Sequence, residues 1–550
     1  MDRKKSSATV GLRSEAWTRS LISSKRTVVL VLILAGIMWT VFYATHSREI
    51  SGSDDREYVS IARNIVNGKG IVRNAMYPID INFFSKVPVP EFVHPPGYPL
   101  IIAGFFKLFG ISDGVGLLPS YLSFFALVLL MLLVAQRTTD TKTAVLATVI
   151  LIFNKEILEM SLVALSEEVY TLIFSLFLAV LIRAKSGRGI FAAGLLMGVS
   201  HLVRENMYAF LLPTLVYLSF PPQLPRSKKV FFFILGCLIP LIPNMIRTFS
   251  ETGSLFAPYG KFGLMAFTDR YPWLNIYRNI DNLSLFEFLM DHPGQLIWKY
   301  AINVVSSLEQ LMTMSSPYVL AFFCVEMFYW KDVHPEWARG KRLLLSLLVF
   351  YILFVSLFTL TDRFFYPFLP FIVLFASRGF LRMTEEMLSG VSLQWKKAAY
   401  ALSILLFLLF FTIRTIFAIS VPGHYSPVLN SKIPQYGALV SEKDAGKITR
   451  FVSNELKENQ VVWTDVPEIF EWKDDRPCGW LPTRIDHIYE IRKKVPVDAI
   501  LLTNVRTPNR MEEQWRYLLF SEHSLPGYRT VKVHHEGRIF AKLLIRDDKE

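Results

Sequence analysis

A multi-pass α-helical membrane protein, carrying a small α/β domain at its C-terminal end, is the fold class this chain predicts. Three observations carry it. Hydrophobic residues make up 52% of the 550 residues and charged residues 19%, with a mean hydropathy of +0.35, outside the balance of a soluble domain. Apolar runs close to the roughly 20 residues that cross a hydrocarbon core recur along the chain. Past residue 420 the composition turns polar, and short strand-like and helix-like segments replace them.

The first apolar run, 27–44 (TVVLVLILAGIMWTVFYA), has no small-x-small cleavage site and is followed by charge, so it reads as a retained anchor. Further spans are expected at 117–136, 143–160, 164–183, 189–203, 205–220, 230–247, 308–330, 342–360, 364–380 and 398–420, about 11 crossings in all. Basic residues gather between them, around Arg3-Lys4-Lys5 to Lys25-Arg26, Arg137 with Lys142, Arg183-Lys185-Arg188, Arg226-Lys228-Lys229, Lys331 to Arg342, and Arg378 to Lys397. Placing all six patches in the cytoplasm follows the positive-inside tendency. It also accounts for the net charge of +13 without a nucleic-acid partner.

The expected protein is then an integral plasma- or inner-membrane protein. Residues 1–26 are cytoplasmic and 27–420 form the transmembrane domain, with external loops at 45–116 and 248–307. Residues 421–550 form an external soluble α/β domain, because an odd number of crossings puts the C-terminus outside. The three cysteines do not suggest a disulfide framework.

Within the first external loop, Tyr58 to Val66 predicts a helix along the membrane surface, with Val59, Ile61, Ala62, Ile65 and Val66 as its apolar stripe. Gly68 and Gly70 end it. Pro95-Pro96 opens a second surface helix, Tyr98 to Phe109, too short to cross. In the C-terminal domain, 443–458 predicts a helix, 461–463 and 499–502 buried strands, and 528–533 with 539–545 a hairpin around Glu536-Gly537.

Asp54 and Asp55 stand just outside the first span. Charge at a membrane face is expensive, so the pair is a functional candidate, with helix capping by Asp54 as the plain alternative. Glu91 and His94 flank the Pro-Pro element. They are candidates for acceptor or donor binding, against a solvated loop glutamate and a capping histidine. Arg204, Arg247 and Arg363 each stand at the outer end of a predicted span. A guanidinium fork suits phosphate, and interfacial snorkelling is the alternative. Glu167 and Glu168 open a span at the outer face. Tyr259 and Lys261 lie in the long loop, where they could close over a substrate. Trp273, Tyr271 and Tyr277 read as membrane-belt aromatics. Neither His334 with Glu336 nor the adjacent His534 and His535 has the spacing of a metal site.

SDDREYVSIARNIVNGKG followed by HPPGYPLIIAGFFKLFG resembles the first external loop of GT-C glycosyltransferases. The likeness is nearest to the branch of protein O-mannosyltransferases and lipid A aminoarabinose transferases. It continues through Ala164-Leu165-Ser166-Glu167-Glu168, Gly194 to Arg204, Asn244-Met245-Ile246-Arg247 with the Gly-Ser turn after it, and Arg363-Phe364-Phe365-Tyr366-Pro367. It spans about residues 27–380 in order.

The resemblance implies a GT-C-like fold and a sugar donor on a polyprenyl phosphate, drawn from membrane lipid. The acceptor is a glycan, lipid or protein hydroxyl. Asp54 matches the family's catalytic aspartate and takes the general-base role, with Asp55 in the second acidic position as an orienting group. The arginines would stabilise the departing phosphate. No resident cofactor is expected. Some relatives use a divalent cation, which Asp54 and Asp55 would coordinate if this chain does. Two other classes remain open at this point: a transporter or flippase of lipid-linked sugar, and a non-catalytic assembly protein with the same fold.

Overall fold

The computed structural model describes residues 25–45, 50, 52–205, 207–219, 225–272, 274–329, 335–358, 362–420, 442–505, 512–536 and 539–547. The N-terminal basic patch before Lys25, Trp273, His334 and the Gly537 turn lie outside the described residues.

The chain enters as α1 (Lys25–Thr45), an apolar helix of spanning length. The loop between α1 and the bundle holds α2 (Ser53–Val66), three short strands β1 (Val72–Arg73), β2 (Ala75–Met76) and β3 (Val89–Pro90), and α3 (Gly97–Phe109). The helical bundle follows. It comprises α4 (Asp113–Thr138), α5 (Thr141–Ile152), α6 (Lys155–Ser161), α7 (Ser166–Arg183), α8 (Gly187–Val203), α9 (Met207–Ser219) and α10 (Arg226–Thr252). After a long loop it resumes with α13 (Pro293–Ser315), α14 (Pro317–Phe328), α15 (Pro335–Val355), α16 (Leu369–Met387) and α17 (Leu393–Ser420). The loop itself carries α11 (Gly260–Met265) and α12 (Leu285–Asp291), packed around Tyr259, Phe262, Tyr271, Ile276 and Phe288.

Among the described residues, four helices are long and apolar enough to cross a membrane, or up to six if each of two bent pairs is one span. The chain is an integral membrane protein. Two expected spans differ from single helices. The segment 143–160 breaks after Ile152, because Asn154 caps a new helix by accepting from the Ile157 N–H. The segment 308–330 bends by 104° at Ser316, which takes φ 71° ahead of Pro317. The loop expected over 248–307 is also shorter, since α10 runs to Thr252 and α13 starts at Pro293.

Helices α8 and α10 pack at backbone contact. A Cβ on Gly194 would lie 2.1 Å from the Phe233 carbonyl oxygen, and one on Gly236 would lie 2.3 Å from that of Phe191. Glycine at both places is what permits the approach.

The C-terminal domain contains α18 (Glu442–Ser453), β4 (Val462–Thr464), α19 (Pro467–Lys473), β5 (Cys478–Trp480), α20 (His487–Arg492), β6 (Ala499–Thr503), α21 (Glu513–Phe520), β7 (Tyr528–Glu536) and β8 (Ile539–Arg546). Its six-stranded sheet has the order β2-β5-β4-β6-β8-β7. The first four strands are parallel, and β8 and β7 are antiparallel to their neighbours. One edge strand, β2, therefore comes from the loop after α1, about 400 residues upstream. Helix α2 lies between the bundle and this domain, so the face away from its apolar stripe is covered as well. Arg56, Glu57 and Ser60 are buried with Val59, Ile61 and Ala62.

Candidate active site

Helix α2 begins at the N-cap Gly52, whose position rules out a capping role for Asp54. Asp54 and Asp55 sit in the first turn, where the helix dipole favours negative charge. The two side chains diverge. Asp54 Oδ2 accepts from an Arg363 guanidinium nitrogen at 2.5 Å. Asp55 is buried and turned back toward Gly52.

Arg363 stands in a 3-10 turn leading into α16. Its Nε lies 3.4 Å from Glu167 Oε1, at the start of α7. The same oxygen accepts from Arg204 at 2.7 Å, at the C-cap of α8. Asp54, Arg363, Glu167 and Arg204 thus form one chain of alternating charge drawn from four helix ends. Glu167 is buried, and bridging two guanidinium groups compensates its desolvation. The chain opens at one end: the side chains of Asp54 and Arg363 are 39% and 33% exposed, against 2% for Glu167. Next to it, Tyr366 donates to the buried Glu168.

Gly97 makes this convergence geometrically feasible. A Cβ there would lie 2.5 Å from the Leu202 carbonyl oxygen, two residues before Arg204. The start of α3, three residues after His94, therefore rests directly on the end of α8.

A second charged group adjoins the first. His94 Nδ1 is 3.5 Å from Glu57 Oε2 and 3.7 Å from Glu91 Oε1. Tyr77 donates to Glu57 at 3.3 Å. Glu91 Oε2 lies 3.2 Å from Arg73 Nε, and Arg73 donates to Asp80 at 2.5 Å. Tyr259 donates to Asp80 at 2.6 Å, which ties the long loop to this group.

Charge states follow from these surroundings. Burial works to raise the Asp54 carboxyl, but Arg363, then His94 and Arg204, outweigh it and hold it down at about 2. Burial and the neighbouring Asp54 push Asp55 up to about 7. Burial likewise raises Glu57 to about 7. Burial disfavours the His94 imidazolium, yet Glu91 and Glu57 raise it to about 9. At neutral pH the cleft therefore presents the solvent-open Asp54 as a carboxylate, beside a cationic histidine.

Of the residues singled out in the sequence, Asp54, Arg363, Glu167 and Arg204 come together, with Asp55, Glu91 and His94 adjacent. Arg247 lies one layer away, donating to the Glu91 carbonyl at 2.8 Å with its guanidinium 4.4 Å from the Phe92 ring centroid. Lys261 bonds Asn282 and the Leu283 carbonyl, away from the cleft. Glu57, Arg73, Asp80 and Tyr366 escape sequence reasoning. Glu57 alone carries a signal, standing one helical turn after Asp54. Among the described residues no three His, Cys, Asp or Glu side chains converge as a metal site would require.

No curated protein matches the chain by sequence. The family described as dolichyl-phosphate-mannose-protein mannosyltransferase matches residues 93–246, from just before His94 to just before Arg247. Two solved structures of ArnT from Cupriavidus metallidurans share the fold. The one bound to undecaprenyl phosphate has a TM-score of 0.55 at 12% identity, over 94% of this chain and 97% of that one. The apo state gives 0.57 at 12% identity, over 95% and 98%. The chain thus has the fold of these ArnT structures, and the segment that carries His94, Glu167 and Arg204 matches the mannosyltransferase family.

Proposed function

We propose that this protein transfers a glycosyl group from a polyprenyl-phosphate-linked donor to a hydroxyl or similar nucleophile of a glycan, lipid or protein acceptor. The reaction takes place at the outer membrane face and inverts the anomeric centre. The observation that carries the reading is the solvent-open pair of Asp54 and Arg363, 2.5 Å apart at the meeting of four helix ends. Capture of a lipid phosphate by a fold relative supports that donor class.

In the step, the acceptor oxygen attacks the anomeric carbon and its proton passes to Asp54. The bond from that carbon to the phosphate oxygen breaks, and the lipid phosphate leaves with the electron pair. A carboxylate held at about 2 is a weak base. A donor phosphate competing for Arg363 would loosen that hold and raise the basicity of Asp54 as the substrate arrives. Arg363 and Arg204 then stabilise the departing phosphate. Asp55 orients the first turn of α2.

The test is transfer from a polyprenyl-phosphate sugar by purified protein at matched folded concentration. Asp54→Asn keeps size and fold but cannot take a proton, so transfer should fall by about 10²–10⁴-fold. Asp55→Asn should cost less. Wild-type turnover in Asp54→Asn would sink the proposal.

A further inference from the structure

The C-terminal domain grips α2 on the side away from the cleft. At about 100° per residue, Arg63 lies roughly 180° round the helix from Asp54, and Ser60 lies about 120° from it. Arg63 donates to the Trp472 carbonyl at 2.8 Å and also to the Glu471 carbonyl, the orphan acceptors at the C-terminal end of α19. Ser60 Oγ donates to the Glu471 carbonyl at 3.0 Å.

Arg63 also pairs with Asp475 at 2.9 Å. Asp475 holds a left-handed backbone, φ 48°, and receives Lys69 at 2.9 Å and Asn74 at 2.7 Å besides. A strained residue met by three separate side chains from the first loop marks a specific junction. Helix α19 is fixed in turn to the bundle, because Trp472 Nε1 donates to Asp113 at the start of α4. On this side α2 therefore rests on a rigid stop.

We infer that the C-terminal domain sets the rotation and tilt of the catalytic helix, with Arg63 as the positioning residue for Asp54. The inference rests on Asp54 being the base. Without the grip, α2 is held only by its packing on α3 and by Arg56 and Tyr58 on the bundle side, and a small rotation moves the carboxylate off the line set by Arg363. A displacement of about 1 Å at a reacting group costs up to about 100-fold.

The test is a double-mutant cycle on the full-length protein, using transfer from a polyprenyl-phosphate sugar. Arg63→Ala should lower kcat by about 10- to 100-fold while KM for the donor stays within about 2-fold, since Arg363 and Arg204 are untouched. Arg63→Lys should restore only part, lacking the fork. In an Asp54→Asn background, Arg63→Ala should cause no further loss, because it acts through Asp54. Equal fold-losses in both backgrounds, or none in wild type, overturn the inference. Tryptophan fluorescence reports whether the C-terminal domain stays folded. If Arg63→Ala disrupts it, Asp475→Asn, which tolerates the same backbone, is put through the same cycle and judged by the same outcomes. Asp54→Asn alone reports on the base assignment: full turnover there overturns that assignment and this inference with it, whereas loss there with no coupling overturns only the positioning role.

Discussion

Burial and Arg363 pull the Asp54 carboxyl in opposite directions, and Arg363 prevails. Removing the guanidinium leaves only His94 and Arg204 to oppose burial, so the carboxyl should titrate above its present value of about 2. The proposed transfer requires the ionised form of Asp54, which is lost as pH falls through that pKa. The acid limb of the kcat/KM profile should therefore move to higher pH in Arg363→Ala, measured beside wild type. Arg247→Ala should leave that limb in place, because Arg247 touches Phe92 and the Glu91 carbonyl rather than Asp54. Asp54 itself was legible, as a carboxylate at a membrane face followed by a helix and a Pro-Pro element. Its partner was not. Arg204, Arg247 and Arg363 all stand at span ends, and only the crossing of α7, α8 and the turn before α16 decides which of them meets Asp54. The buried pair Arg73 and Asp80 left no trace either, since it lies in a loop without periodicity.

Helix α3 shows how one element sets the distance between others. Alanine at Gly97 would press into the Leu202 carbonyl, which is backbone and has no rotamer to yield. Gly97→Ala should destabilise the protein by ~1–3 kcal/mol, read as a lower melting temperature in detergent. Arg204 should shift from Glu167 in the same variant, and transfer should fall with it. Helices α2 and α3 were readable from an apolar stripe and Pro-Pro, although α2 starts at Ser53, ahead of the expected Tyr58. The breaks at Asn154 and Ser316 were not, because hydropathy averages across a few residues of turn. In the C-terminal domain, β4, β6 and the β7-β8 pair lie where apolar and alternating runs predicted strands. Strands β5 and β2, of three and two residues, are too short to show any period.

At the scale of the whole molecule, the placement of six basic patches in the cytoplasm remains our proposal for topology. A reporter inserted near Ser227 should then be cytoplasmic and one fused after Glu550 external, as judged by compartment-specific labelling. An internal C-terminus would require an even number of crossings. The division between bundle and C-terminal domain was visible as a change of composition. That the domain borrows β2 from the first loop was not, since nothing in a two-residue strand names its partner across such a distance. The borrowing also has a bearing on time. The hydrogen bond from Ser60 to Glu471 joins residues 411 apart, so α2 leaves the ribosome long before the surface it rests on. At about 5–20 residues per second that interval is roughly 20–80 seconds. Through it the first loop is already made, while α19 and β5, on which α2 and β2 rest, have yet to be. If the positioning role proposed for Arg63 holds, a nascent or prematurely terminated chain stays inactive until α19 and β5 have reached its first loop.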